Sequence, residues 1–90
     1  MSWRIRTTQP FDNTTRKHKK NQELLRALGK KIERLRRDPH SVGGYLSGRL
    51  HGMKATRLVS KFRLVFHIID ETQTVWLSAI DHRKSDYAQF

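Results

Sequence analysis

The hydrophobic pattern changes period twice along the chain. Trp3, Ile5 and Thr7 alternate with Arg4 and Arg6, a period of two that predicts a short strand. Thr8-Gln9-Pro10 then opens a helix, with Thr8 as cap and Pro10 tolerated in the first turn. That helix has one strong apolar anchor, Phe11, and Thr14 and Thr15 are poor helix formers, so it is expected to run only to about Lys19. Asn21 can end this helix or cap the next. From Gln22 the period is helical without ambiguity: Leu24, Leu28, Ile32 and Leu35, with Leu25 beside them, form one stripe. Asp38 precedes Pro39 and is steered out of the helical region, which predicts a stop by Arg37.

Residues 38–52 break every period, with Pro39, Gly43, Gly44, Gly48 and Gly52 spread through them, and Tyr45, Leu46 and Leu50 pin the loop to the body. Alternation returns at Thr56 to Ser60. It is clearest in Phe62-Arg63-Leu64-Val65-Phe66-His67-Ile68-Ile69, where Phe62, Leu64, Phe66 and Ile68 share one face and Arg63, Val65, His67 and Ile69 the other. The turn Asp70-Glu71-Thr72-Gln73 joins this run to Thr74–Asp81 as an antiparallel hairpin. The expected fold class is therefore α+β: an N-terminal strand, then two helices packed on one face of a mostly antiparallel four-stranded sheet, in the order β-α-α-β-β-β, as a single domain over residues 1–90. Pairing in the hairpin brings Arg63 and the pair His82-Arg83 to the same end of the sheet.

Charge sharpens this picture. Nineteen Lys or Arg against eight Asp or Glu leave +11 on ninety residues, which points to a polyanionic partner: RNA, DNA or the ribosome, or an acidic protein. Residues 16–37 alone carry ten of those cations against two Glu. They are either a solvated outer face or a contact that positions RNA or rRNA without reading its sequence. With no cysteine there is no disulfide framework and no thiolate metal site. No apolar run has the length of a membrane span, and no apolar stretch follows Arg4 and Arg6 to make a secretory signal, so a soluble cytoplasmic protein with no membrane partner is expected. The histidines at 18, 40, 51, 67 and 82 do not pair at ligand spacing, and nothing resembles a nucleophile elbow, so neither a metal, a cofactor nor a Ser/His/Asp triad is expected.

The segments Asp38-Pro39, Gly48-Arg49-Leu50-His51-Gly52, Arg57, Phe62-Arg63-Leu64-Val65-Phe66 and Asp81-His82-Arg83-Lys84-Ser85-Asp86-Tyr87, in this element order, resemble the RelE/ParE superfamily of type II toxins across nearly the whole chain. The resemblance implies a RelE-like fold and one of two activities. RelE-like members cut mRNA in the ribosomal A site without a metal, the ribose 2′-hydroxyl attacking the adjacent phosphate; ParE-like members poison DNA gyrase. A catalytically inactive relative that only binds nucleic acid or antitoxin is the third possibility. The first is expected here, with mRNA, the ribosome and its 16S rRNA, and an acidic antitoxin that folds on binding as partners.

Cleavage of that kind needs a base, an acid, cations on the phosphorane and a means of holding the nucleotides in line. By resemblance Arg63 binds the scissile phosphate, for which a planar guanidinium is better suited than Lys; otherwise it pairs with a carboxylate on a neighbouring strand. Arg57 is a second phosphate ligand or positioning group, Arg83 a charge stabiliser, and Tyr87 a stacking or orienting group unless it packs the tail with Phe90. Imidazole is the side chain suited to proton transfer at neutral pH, which makes His82 the natural base or acid, provided that it and Arg83 do not point to opposite faces. His51 and Lys54 are loop candidates for the missing proton-transfer partner, and they are expected to contact RNA along with Lys61, Lys84, Lys30 and Arg34. His67 reads as structural.

Overall fold

The computed structural model describes residues 2–82. The elements are β1 (Arg4–Thr7), α1 (Gln9–Lys17), α2 (Gln22–Arg37), β2 (Gly44–Tyr45), β3 (Lys54–Arg57), β4 (Phe62–Ile69) and β5 (Thr74–His82), with single 3-10 turns at Pro39–Ser41, Gly48–Leu50 and Asp70–Thr72. They build one sheet in the order β1-β5-β4-β3-β2. Both helices lie on one side of it. The α+β layering and element order match the expectation, with two differences. The sheet has five strands, because Gly44 and Tyr45 in the glycine-rich loop pair with Ala55 and Lys54. It is also mixed: β1 runs parallel to β5 while the other pairs are antiparallel. Two residues between glycines show no alternation, so β2 leaves no trace in the hydrophobic pattern. β3 begins two residues earlier than Thr56 and ends at Arg57, before the turn through Ser60, whose φ of 57° is left-handed.

The helices begin where their caps are. Thr8 Oγ1 accepts from Phe11 N–H (3.4 Å), and Asn21 Oδ1 accepts from Leu24 N–H (3.0 Å). α1 ends at Lys17, two residues short of the expected end, and α2 ends at Arg37 before Asp38-Pro39. The core holds Phe11, Leu28, Leu35 and Val42 against Leu64, Phe66, Val75, Leu77 and Ile80, so the α2 stripe meets the predicted face of β4.

One irregularity decides which side chains share a face. Val65 pairs with Ala79 but Phe66 pairs with Leu77, so Ser78 is an extra residue in β5. A bulge of this kind reverses the alternation beyond it. Val75 and Leu77 face the helices before the bulge, and Ile80 does so after it. Thr8 holds the bulge in place: its hydroxyl donates to Ser78 O (2.7 Å) and its N–H to Leu77 O (3.2 Å). Thr8→Ala removes both a helix cap and the grip on this carbonyl. It is expected to cost about 1–2 kcal/mol, read from urea midpoints. An unchanged midpoint would mean that the bulge needs no such anchor.

Candidate phosphate-binding face

The face of the sheet turned away from the helices holds a row of charged residues. Arg57 on β3 is the cross-strand partner of Arg63 on β4, and Arg63 is the partner of Asp81 on β5. Three charged residues therefore stand in one row across three adjacent strands. Opposed residues on neighbouring strands have Cβ atoms about 4.5–5.5 Å apart, so these side chains are immediate neighbours. Burial is graded along the row: Arg57 is exposed, Arg63 half-buried and Asp81 buried. Like charges directly opposite destabilise a strand pair. Arg57 beside Arg63 is thus poor for the fold and apt for an anion, since two guanidiniums offer a phosphate several fixed N–H donors.

The sequence offers a carboxylate on a neighbouring strand as the alternative partner of Arg63 without saying which; the register makes Asp81 its neighbour, and the bulge is what hid it. Strict alternation from Val75 and Leu77 would put Asp81 with the core and His82 on the face of Arg63. The extra residue Ser78 exchanges them. The structure therefore does not bring His82 to Arg63. His82 pairs with Phe62, and its ring meets the Phe62 ring edge to face (centroids 5.1 Å apart); His18 meets the same ring on α1's side (5.3 Å). His18 Nδ1 lies 3.0 Å from Thr14 O, and that contact makes Nδ1 the protonated nitrogen in the neutral ring. His82 stands at the right end of the sheet, on the helix side of it. Arg83, Lys84 and Tyr87 lie outside the described residues.

Lys54 is also placed elsewhere. It is only 3 % exposed, and Nζ donates to His40 O (2.8 Å) and Pro39 O (3.5 Å) while lying 5.0 Å from the centre of the Tyr45 ring. Its side chain ties β3 to the turn at Pro39–Ser41 and is not presented to a nucleic acid. Burial pushes the amine below its ordinary value of 10.5, and the Asp38 carboxylate opposes this in part. With the folded value under the unfolded one, the unfolded chain holds more protons on this group between the two, so this group's contribution to stability rises with pH just below 10.5. Lys54→Met is expected to lose that rise. Urea midpoints of the two proteins should separate in favour of the wild type as pH climbs towards 10.5, the ordinary lysine value; midpoints that move in parallel would contradict a depressed amine.

The remaining expected contacts divide by position. Lys61 is exposed in the β3–β4 turn, next to the strand that carries Arg63, and His51 is exposed after the turn at Gly48–Leu50. Lys30 and Arg34 are exposed on α2, on the far side of the sheet from the row. Lys31 beside them is pushed below its ordinary value by burial first and by the Arg34 cation second. His67 is exposed on the open face, opposite Trp76, which is in turn opposite Arg6. Among the described residues no three of His, Cys, Asp and Glu come together as metal ligands, and no helix is long and apolar enough to cross a membrane.

Two helices on one side of a mixed sheet is a fold seen in known proteins. Residues 5–87 match the family model described as the ParE toxin of type II toxin-antitoxin systems. The chain belongs to this family, and with it to the RelE/ParE superfamily of type II toxins. The RelBE2 toxin–antitoxin complex of Mycobacterium tuberculosis contains a chain 29 % identical, with TM-score 0.70, the alignment covering 92 % of this chain and all of that one. A YoeB/ParE toxin from Agrobacterium tumefaciens superposes with TM-score 0.78 at 14 % identity, covering 88 % of this chain and 96 % of the other. The isolated RelE toxin of Escherichia coli gives TM-score 0.71 at 20 % identity, over 98 % and 92 % of the two chains. The last two likenesses concern the fold alone. No match was found among curated proteins.

Proposed function

We propose that this toxin is a ribosome-dependent, metal-independent endoribonuclease that cleaves mRNA in the A site and so arrests translation in the cytoplasm. The observation that carries the reading is the cross-strand pair Arg57 and Arg63 on the open face. Two cations held in register suit the extra negative charge of a phosphorane, and such charge stabilisation is often the largest single contribution to catalysis. In this reading the 2′-hydroxyl gives up its proton and attacks the neighbouring phosphate, the P–O5′ bond breaks, and the 5′-oxygen takes a proton as it leaves, giving a 2′,3′-cyclic phosphate and a 5′-hydroxyl; Arg63 holds the non-bridging oxygens, and Arg57 steadies the RNA from the exposed side. Resemblance assigns further roles to Arg83 and Tyr87. His82 takes part in proton transfer only by reaching round the end of β5 from the helix side. The exposed cations of α2 hold rRNA through its phosphates.

The partner is an acidic antitoxin that folds on binding, as the net charge of +11 and the likeness to a toxin–antitoxin complex both favour. A second reading, inhibition of DNA gyrase, is favoured by one observation: the matching family model is that of ParE. The two separate in one experiment. Purified chain is added to programmed ribosomes and to naked RNA, both in EDTA, and ends are mapped by primer extension. Cuts in the A site on ribosomes alone support the proposal, and cuts in naked RNA too would discard the ribosome dependence. No cuts in either, with loss of gyrase supercoiling activity, would replace the proposal by the second reading.

A further inference from the structure

We propose that Asp81 is a positioning residue that aims Arg63 at the phosphate. This rests on the reading of the open face as the cleavage site. Asp81 is a carboxylate only 6 % exposed, next to the arginine on which that reading turns, and the reaction itself gives it no task. Neither it nor Arg63 is free of side-chain interactions.

The row explains what a buried carboxylate does there. Arg63 has Arg57 on one side and Asp81 on the other. Its guanidinium is repelled from the first and attracted to the second, and both forces act along the same line across the sheet. A guanidinium is a planar fork with five N–H donors, and a carboxylate occupies at most one edge of it. The edge left over then points away from Asp81, towards Arg57 and the open face, where a phosphate meets donors from both arginines. Without the carboxylate nothing on the Asp81 side fixes which edge of the fork is left over, and the aim is lost. Burial strengthens the effect, because the interaction is less screened at the dry end of the row than at the exposed one. The Ser78 bulge is what puts the carboxylate on this face rather than among the helices.

The test uses the full chain on programmed ribosomes. Asp81→Asn keeps the shape and removes the charge. It is expected to lower kcat by on the order of 10²-fold, the usual consequence of a reacting group misplaced by an ångström, with little change in KM. In an Arg63→Ala background the same substitution is expected to cost nothing further, because Asp81 acts only through Arg63. An undiminished kcat, or a loss that adds to that of Arg63→Ala, would overturn the proposal. A second measurement does not depend on cleavage. The Arg63 Nε–H resonance, assigned by its absence in Arg63→Lys, is expected to exchange slowly in the wild type and to shift and exchange fast in Asp81→Asn. Fast exchange in the wild type itself would refute the positioning role even if the variant failed to fold. If the chain cleaves no RNA, the ribonuclease reading fails by itself, and the resonance still decides whether Asp81 aims Arg63.

Discussion

Arg63→Ala should abolish growth arrest on induction and lower A-site cleavage by roughly 10²- to 10³-fold, the range seen when one donor to a developing anion is removed. The fold should survive. Arg63 is half-buried on the face away from the helices; its removal relieves the repulsion from Arg57 but takes a cation from beside the buried Asp81, so a partial loss of stability is expected and not unfolding. Arg63→Lys should recover only part of the rate, since an ammonium is a point charge without the bidentate fork. The expected loss for Arg57→Ala is smaller, because that residue is exposed and better screened. By resemblance Arg83→Ala should match Arg63→Ala. Growth curves and primer extension on the same set of variants check the order. Full toxicity of Arg63→Ala, with normal expression, would take the row out of the mechanism altogether.

The second large effect belongs to the fold. Gly43 has φ of +67°, and a Cβ at this position would lie 2.3 Å from Ala55 O and 2.9 Å from Ala55 C. These are backbone atoms of β3, so no rotamer change relieves the clash. Gly43→Ala must push the loop off β3. That breaks the pairing of Gly44 with Ala55, shifts Val42 out of the core and pulls on the turn whose carbonyls hold Lys54. Left-handed backbone costs about 1–3 kcal/mol in a residue with a side chain, and the displaced packing adds a similar amount, for a total of roughly 3–5 kcal/mol. For a domain of this size that lowers Tm by on the order of 15 °C or more. Gly44→Ala is the control: nothing lies within 4 Å of its Cβ, and a small change is expected. A thermal scan that finds the two variants alike would contradict the close crossing at Gly43.

These residues also show what could be read before the structure. The α2 stripe, the β4 alternation and the turn at Asp70–Gln73 were legible because each is a periodic signal several residues long with a stop or turn residue at its end. So was the approach of Arg63 to the end of the last strand. What could not be read is whatever depends on a single residue out of period. β2 is two residues long. The extra Ser78 leaves no mark in composition, yet it decides that Asp81 joins Arg63 and that His82 joins Phe62. Lys54 was misplaced for a related reason: a lysine before a strand looks like a surface cation, and only the packed turn beneath it shows two carbonyls waiting for its amine. The parallel pairing of β1 was hidden because a strand's own sequence does not say which distant strand it will meet.

That pairing has a consequence for how the protein is made. The hydroxyl of Thr8 bonds to a carbonyl seventy residues further on. At about 5–20 residues per second, β1 waits roughly 4–14 s after its synthesis before its neighbour exists. β5 lies between β1 and β4, so it is the seam of the sheet and not its rim. A nascent chain that has reached only β4 has two separate strand groups, an unclosed core and a row with Arg57 and Arg63 but no Asp81. Completing the sheet and completing the row are the same late event. While its own message is still being read, a chain halted before Thr74 has neither the closed sheet nor the complete row.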